Sequence, residues 1–200
     1  MKGQRSPVAS TRIHRHRDGD VKRVRDTLVV EEPLEIRLGW TDEQGAARTR
    51  AVAVTMRTPG DDFELVAGFL RGEGILPTRD LLREMTYCRG GKAEQEYNIV
   101  EARLRAGVAV DVERLQRNFY TTSSCGVCGK ASLEAVEAQG CSVLEPGTPG
   151  LEAALVSSLP GRLREAQGVF DDTGGLHAAG IFAAAGELVV LREDVGRHNA

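Results

Sequence analysis

Apolar and polar side chains alternate most clearly in ARTRAVAVTMRT (47–58), where the period of two from Arg48 to Met56 predicts a strand. Upstream, DTLVVEEPLEIRLGW (26–40) predicts two short strands broken near Pro33. Residues 83–88 and 96–104 predict two more, and YNIVEARLRA alternates as a half-buried strand does. Between these, Pro59-Gly60 turns the chain. Asp61 or Asp62 can then cap a helix carrying Phe63, Leu65, Val66, Phe69 and Leu70, which GEGILP (72–77) ends. Further on, Leu133 and Val136 are spaced for a helix closed by Gly140, with Ser123 or Ser124 at its start. The small residues of 121–129 thus form a loop running into a helix N-terminus. PGTPG (146–150) is a turn. LEAALVSSLPGRLREAQGVF (151–170) is helical in pattern, with a break expected at Pro160-Gly161. AAGIFAAAGELVVLRED (178–194) predicts a hairpin with strands IFAA and ELVVL and its turn at Ala185-Gly186. DVGRHNA then reads as the start of another helix, and no internal repeat is present.

Two hundred residues suit one domain, or a domain with a smaller subdomain, and can bury a core without disulfide staples. Aromatics make up 4% and Trp40 is the single tryptophan, which argues against a stacking platform for single-stranded nucleic acid. The net charge of −3 conceals an asymmetry: residues 1–25 hold eight Lys/Arg against Asp18 and Asp20. That composition reads as a disordered, solvated basic arm, with an acidic partner or a nucleic acid as the functional alternative. The arm has no apolar segment of a secretory signal, and no apolar run approaches the ~20 residues that span a bilayer. The expected location is the cytoplasm, with no nucleic-acid and no membrane partner.

The four cysteines lie at 88, 125, 128 and 141. Two of them fall in TTSSCGVCGK (121–130), two residues apart with a glycine after each. A thiol reacts as its thiolate, and a helix N-terminus favours that form, as would the nearby Lys130. Gly126 and Gly129 let the backbone approach a ligand closely. Three readings compete. A structural zinc needs four ligands, and only one CxxC is present. A thioredoxin-like dithiol should follow the first strand of a βαβ unit, whereas more than a hundred residues precede this one. The third reading is a cysteine that carries a sulfane sulfur or another covalent intermediate. Cys88 and Cys141 read as ordinary, partly buried residues.

TTSSCGVCGK also resembles the signature of the formate dehydrogenase accessory sulfurtransferases, the FdhD/NarQ family. EEPLEIRL (31–38), MRTPGDDFELVAGFLRGEGIL (56–76), DDTGGLHAAGIF (171–182) and LREDVGRHNA (191–200) resemble four further segments of that family in the right order. The resemblance spans roughly residues 26–200. It implies an α/β fold: a cytidine-deaminase-like core with an N-terminal β-rich portion. The expected organisation is a basic arm (1–25), a β-rich portion with one helix (26–116) and a sulfur-carrying, cofactor-binding core (117–200). Deaminase chemistry itself lacks its residues, because His177 is followed by Ala178-Ala179 and Ser124 stands where a proline would precede the CxxC.

The same resemblance implies the chemistry. Cys125 would carry a persulfide received from a cysteine desulfurase, with Cys128 assisting. The sulfur would pass to the molybdenum of bis-molybdopterin guanine dinucleotide, a bound substrate, on its way into apo formate dehydrogenase. Thr173, Gly174, Gly175, His177, Arg197, His198 and Asn199 are the expected cofactor-binding residues, since short side chains, backbone N–H groups and a guanidinium suit phosphates. No metal site and a homodimer are expected. An escort that binds the cofactor without transferring sulfur is the alternative function. Family members continue past DVGRHNA, so the resemblance also implies a chain incomplete at its C-terminus, whose hairpin at 178–191 lacks a covering helix.

Overall fold

The first element of the computed structural model, which describes residues 5–88, 97–108, 110, 146–147 and 150–200, is a hairpin. Strands β1 (Val8–Arg17) and β2 (Asp20–Val29) pair antiparallel over their whole length. This corrects the expected disordered arm. The cause is local: Asp18 and Gly19 form a two-residue loop with φ of 53° and 85°. Positive φ at both positions is the turn whose twist matches a hairpin, and Asp-Gly is its preferred sequence. The hairpin is tied at its base, where the Val30 N–H donates to the Pro7 carbonyl at 2.8 Å.

Next, β3 (Glu32–Thr41) is the inner strand of a sheet ordered β4-β3-β6-β5. It runs antiparallel to β4 (Ala47–Arg57) and parallel to β6 (Ile99–Leu104), whose other neighbour is the antiparallel β5 (Leu82–Tyr87). The break between β2 and β3 falls at residues 30–31, not at Pro33. Pro33 is tolerated as the second residue of β3, ahead of Glu35–Gly39, where β6 joins. Alternate residues Leu34, Ile36, Leu38, Val100, Ala102 and Leu104 point to one face and are buried. Helix α1 (Asp62–Gly72) covers that face with Val66 and Leu70, while Phe63, Leu65 and Phe69 pack around them. Asp61 occupies the N-cap position of α1 but makes no side-chain cap bond.

Helix α2 (Ala153–Ala166) runs through Pro160, so the expected break at Pro160-Gly161 does not occur; the chain breaks at Gln167 instead. Proline removes the donor for the carbonyl of Val156, and Val156 is 47% exposed, so water can replace that bond. Helix α3 (Gly168–Thr173) ends at Gly174, whose left-handed φ of 70° is the usual helix-ending conformation. Strands β7 (His177–Phe182) and β8 (Leu188–Asp194) form the expected hairpin, with Gly186 at its turn and β7 beginning four residues earlier than IFAA. One face of this hairpin is covered by α2, which corrects the expectation that the hairpin lacks a covering helix. A side chain on Gly180 would meet Leu163 Cδ1 at 2.6 Å, and Arg162 donates to the Gly186 carbonyl. Ile181 and Val189 are exposed. Cys125, Cys128, Cys141 and the helix expected after the CxxC loop lie outside the described residues.

Candidate functional site

One side of the site is built on Arg57, the last residue of β4. Its side chain is fully buried and meets Asp62 through two parallel bonds of 2.9 Å. It also donates to the Tyr97 carbonyl at 3.0 Å and lies 3.5 Å from Glu32 Oε2. Asp62 accepts a further bond from the Tyr87 hydroxyl at 3.1 Å. A buried guanidinium is stable only when its fork is matched in this way. The matching aligns the end of β4, the start of α1 and the start of β3, and it makes Arg57 a structural group.

The next residue, Thr58, is where the last segment of the chain attaches. The buried carboxylate of Asp194 accepts from the Thr58 N–H (2.9 Å), the Gly196 N–H (2.7 Å) and Asn199 Nδ2 (3.0 Å). In return the Val195 N–H donates to Thr58 Oγ1 at 3.2 Å, and Asn199 Nδ2 also donates to the Met56 carbonyl at 2.7 Å. Burial pushes the Asp194 carboxyl above the ordinary carboxylate range, and the three hydrogen bonds oppose that rise. A Cβ on Gly196 would lie 2.7 Å from Asn199 Nδ2, so any side chain there would displace Asn199 from its bonds. The Ala200 N–H donates to the Gly196 carbonyl, so DVGRHNA does begin a helical turn.

The other late motif reaches the same place through strand pairing. His177 stands opposite Asp194 in the β7–β8 register, which sets GGLH beside DVGRHN at the open end of the hairpin. Two ion pairs and a cap complete the frame. Arg192 forks onto Glu64 of α1 at 2.7 Å and lies 3.6 Å from Asp61. That fork holds the Glu64 carboxyl below its ordinary range, whereas burial raises Asp61. Glu193 accepts from the Val169 and Phe170 N–H groups at the start of α3. Between these elements lies a cleft of about 380 Å³, with Leu65, Phe69, Leu176 and Leu191 as its apolar part and Thr58, Asp61, Glu64 and His198 among its polar lining.

The expected cofactor-binding residues divide into two groups. His177, Arg197 and His198 are exposed at the open end of the hairpin. Asn199 is spent on the attachment to β4. Thr173 Oγ1 donates to the Val169 carbonyl and accepts from the Gly175 N–H, and the Gly174 N–H donates to the Phe170 carbonyl. The N–H groups of Gly174, Gly175 and Gly196 are therefore satisfied by the chain itself and do not form the expected backbone cradle. Asp62, Glu32, Arg192 and Glu193 lie within the resembling segments, but nothing in the sequence singles them out as the residues that tie the site together. Cys88 is half-buried, and burial raises its thiol above the ordinary range, with Glu101 adding to the effect, so it is a poor nucleophile. Among the described residues no group of three or more His, Cys, Asp or Glu is placed to hold a metal ion, and no helix is long and apolar enough to cross a membrane.

Four of the five segments that carry the resemblance therefore converge in space: EEPLEIRL through Glu32, MRTPGDD through Arg57 and Thr58, and the two late motifs through His177 and Asp194. Comparison with known proteins agrees. Residues 29–200 match the FdhD/NarQ family. The protein named sulfur carrier protein FdhD in Streptomyces avermitilis is 52% identical over 192 residues, covering 94% of this chain and 65% of the relative. The protein of that name in Mycolicibacterium paratuberculosis is 52% identical over 179 residues, covering 88% and 62%. That of the distant Sulfurisphaera tokodaii is 42% identical over 175 residues, covering 88% and 60%. The chain thus spans less than two thirds of the length of these curated relatives. A crystal structure from Desulfotalea psychrophila, described as a formate dehydrogenase accessory protein, superposes with a TM-score of 0.61 at 20% identity, covering 98% of this chain and 66% of that one. At that identity the likeness shows the fold: mixed α/β with a strand-rich N-terminal part.

Proposed function

From the premise that the chain belongs to the FdhD/NarQ family, we propose that it is a sulfur carrier in formate dehydrogenase maturation, a sulfurtransferase acting through a persulfide on Cys125. The observation that carries this reading is the Cys125-x-x-Cys128 pair within the matched residues 29–200, joined to relatives named sulfur carrier proteins. The Cys125 thiolate attacks the outer sulfur of a persulfide on a cysteine desulfurase. The donor's S–S bond breaks and its cysteine leaves as a thiolate, so the sulfur changes carrier without net oxidation or reduction. The acceptor is bis-molybdopterin guanine dinucleotide, held as a substrate, and its phosphates meet the exposed side chains of Arg197, His198 and His177. Cys128 receives no separate step: its attack on the persulfide would release sulfide and leave a disulfide needing a reductant each cycle. Apo formate dehydrogenase is the recipient, and the working form is a cytoplasmic homodimer.

The test is complementation of a strain lacking its own family member, paired with cofactor binding in vitro. Cys125→Ala is expected to abolish formate dehydrogenase activity while the purified variant still binds the cofactor as the parent does. A Cys125→Ala chain that restores activity in full would remove the carrier role and leave the cofactor escort.

A further inference from the structure

The hairpin β1–β2 takes no part in the cleft chemistry, yet its two faces differ sharply. Partners across the ribbon share a face, so Arg12, His14, Arg23 and Arg25 lie together, with Arg12 opposite Arg25 and His14 opposite Arg23. All four are exposed. The rest of that face is Val8, Ser10, His16, Val21, Thr27 and Val29, with no acid. Among the described residues Arg12, Arg23 and Arg25 enter no ion pair. The opposite face mixes Arg15, Arg17 and Lys22 with Asp20 and Asp26, and there Arg15 approaches Asp26 at 3.8 Å. Like charges directly opposite one another work against a two-stranded ribbon, which is marginal to begin with. Among the described residues no acid pairs with these three arginines to offset that opposition.

The ribbon is also held in a definite place. Pro7, at its base, bonds to Val30 and lines the cleft, and Arg5 bonds to Glu32 at 2.6 Å.

We propose that this face docks an acidic segment of a partner protein. Cation and carboxylate are complementary, and such pairing guides encounter and sets which partner binds. A nucleic acid fits less well. The ribbon carries no Phe, Tyr or Trp for a base to stack on, its only rings being the imidazoles of His14 and His16. The proposal does not depend on the sulfur-carrier reading.

The full chain is titrated, by fluorescence anisotropy, with a labelled decapeptide of alternating glutamate and threonine. Arg12→Gln/Arg23→Gln/Arg25→Gln should weaken binding about tenfold, with Tm at or above the parent's because the repulsion is gone. Arg15→Gln/Arg17→Gln/Lys22→Gln, which removes as many charges from the other face, should change binding less than about threefold. Raising salt should weaken the parent's binding. Equal losses from the two faces, or no measurable peptide binding, would overturn the proposal. So would a fall in Tm that accompanies the loss in the first variant, or tighter binding of a ten-nucleotide strand or duplex than of the peptide.

Discussion

Replacing Arg57 is the sharpest perturbation of the frame that holds the site. Arg57→Ala leaves Asp62, 2% exposed, with a buried charge and only the Tyr87 hydroxyl facing it. It also strips Glu32 Oε2, a buried oxygen with no hydrogen bond, of the guanidinium 3.5 Å away. Removing one member of a buried ion pair costs ~3–5 kcal/mol, a large part of the ~5–15 kcal/mol that holds a typical domain. Arg57→Lys keeps the charge, but one ammonium cannot take both Asp62 oxygens and the Tyr97 carbonyl together, so an intermediate loss of ~1–3 kcal/mol is expected. Arg57→Met combined with Asp62→Leu should lose less than the sum of the single changes, with a coupling of ~2 kcal/mol. Urea unfolding followed by circular dichroism measures all of these, provided the denaturant slope is unchanged. A loss under ~1 kcal/mol for Arg57→Ala, or an additive cycle, would refute the assignment of Arg57 as the buried hub.

Other consequences follow from single groups. Gly186 has φ of 83°, and a Cβ there would run into Leu155 Cδ1, so Gly186→Ala should lower stability by ~1–3 kcal/mol in a thermal melt. Cys88 should resist iodoacetamide at neutral pH, its rate rising only above the ordinary thiol range of ~8.5; fast labelling at pH 7 would contradict its raised pKa. The fork from Arg192 lowers the Glu64 pKa, so that pair adds stability above the unfolded glutamate value of ~4.3 and loses it as pH falls through the lower folded value. The Tm difference between parent and Glu64→Gln should accordingly be present at pH 7 and vanish in acid.

Much of the β-rich portion was legible because its physics is local. The alternation of 47–58 and the apolar face of α1 follow from which side chains must be buried, and both elements stand where that pattern puts them. The hairpin at 8–29 is announced only by Asp18-Gly19, while the dense positive charge around it is what a solvated arm would also show. Pro160 suggests a break because an interior proline costs a hydrogen bond and crowds the carbonyl four residues back, yet here that carbonyl belongs to the exposed Val156 and the helix continues. The site was legible as motifs and not as geometry. Nothing in MRTPG says that its arginine is buried or that Thr58 will bind a carboxylate 136 residues away. Equally, Asn199 reads as a ligand-binding residue, and only the fold shows it hydrogen-bonded to Met56 and Asp194.

The most direct measurement incubates the purified chain with a cysteine desulfurase and cysteine, traps its thiols by alkylation and maps the peptides by mass spectrometry. The account predicts a Cys125 peptide heavier by one sulfur atom, restored by dithiothreitol and absent in Cys125→Ala. A Cys125 that stays unmodified while the desulfurase itself carries persulfide would contradict the sulfur-carrier reading.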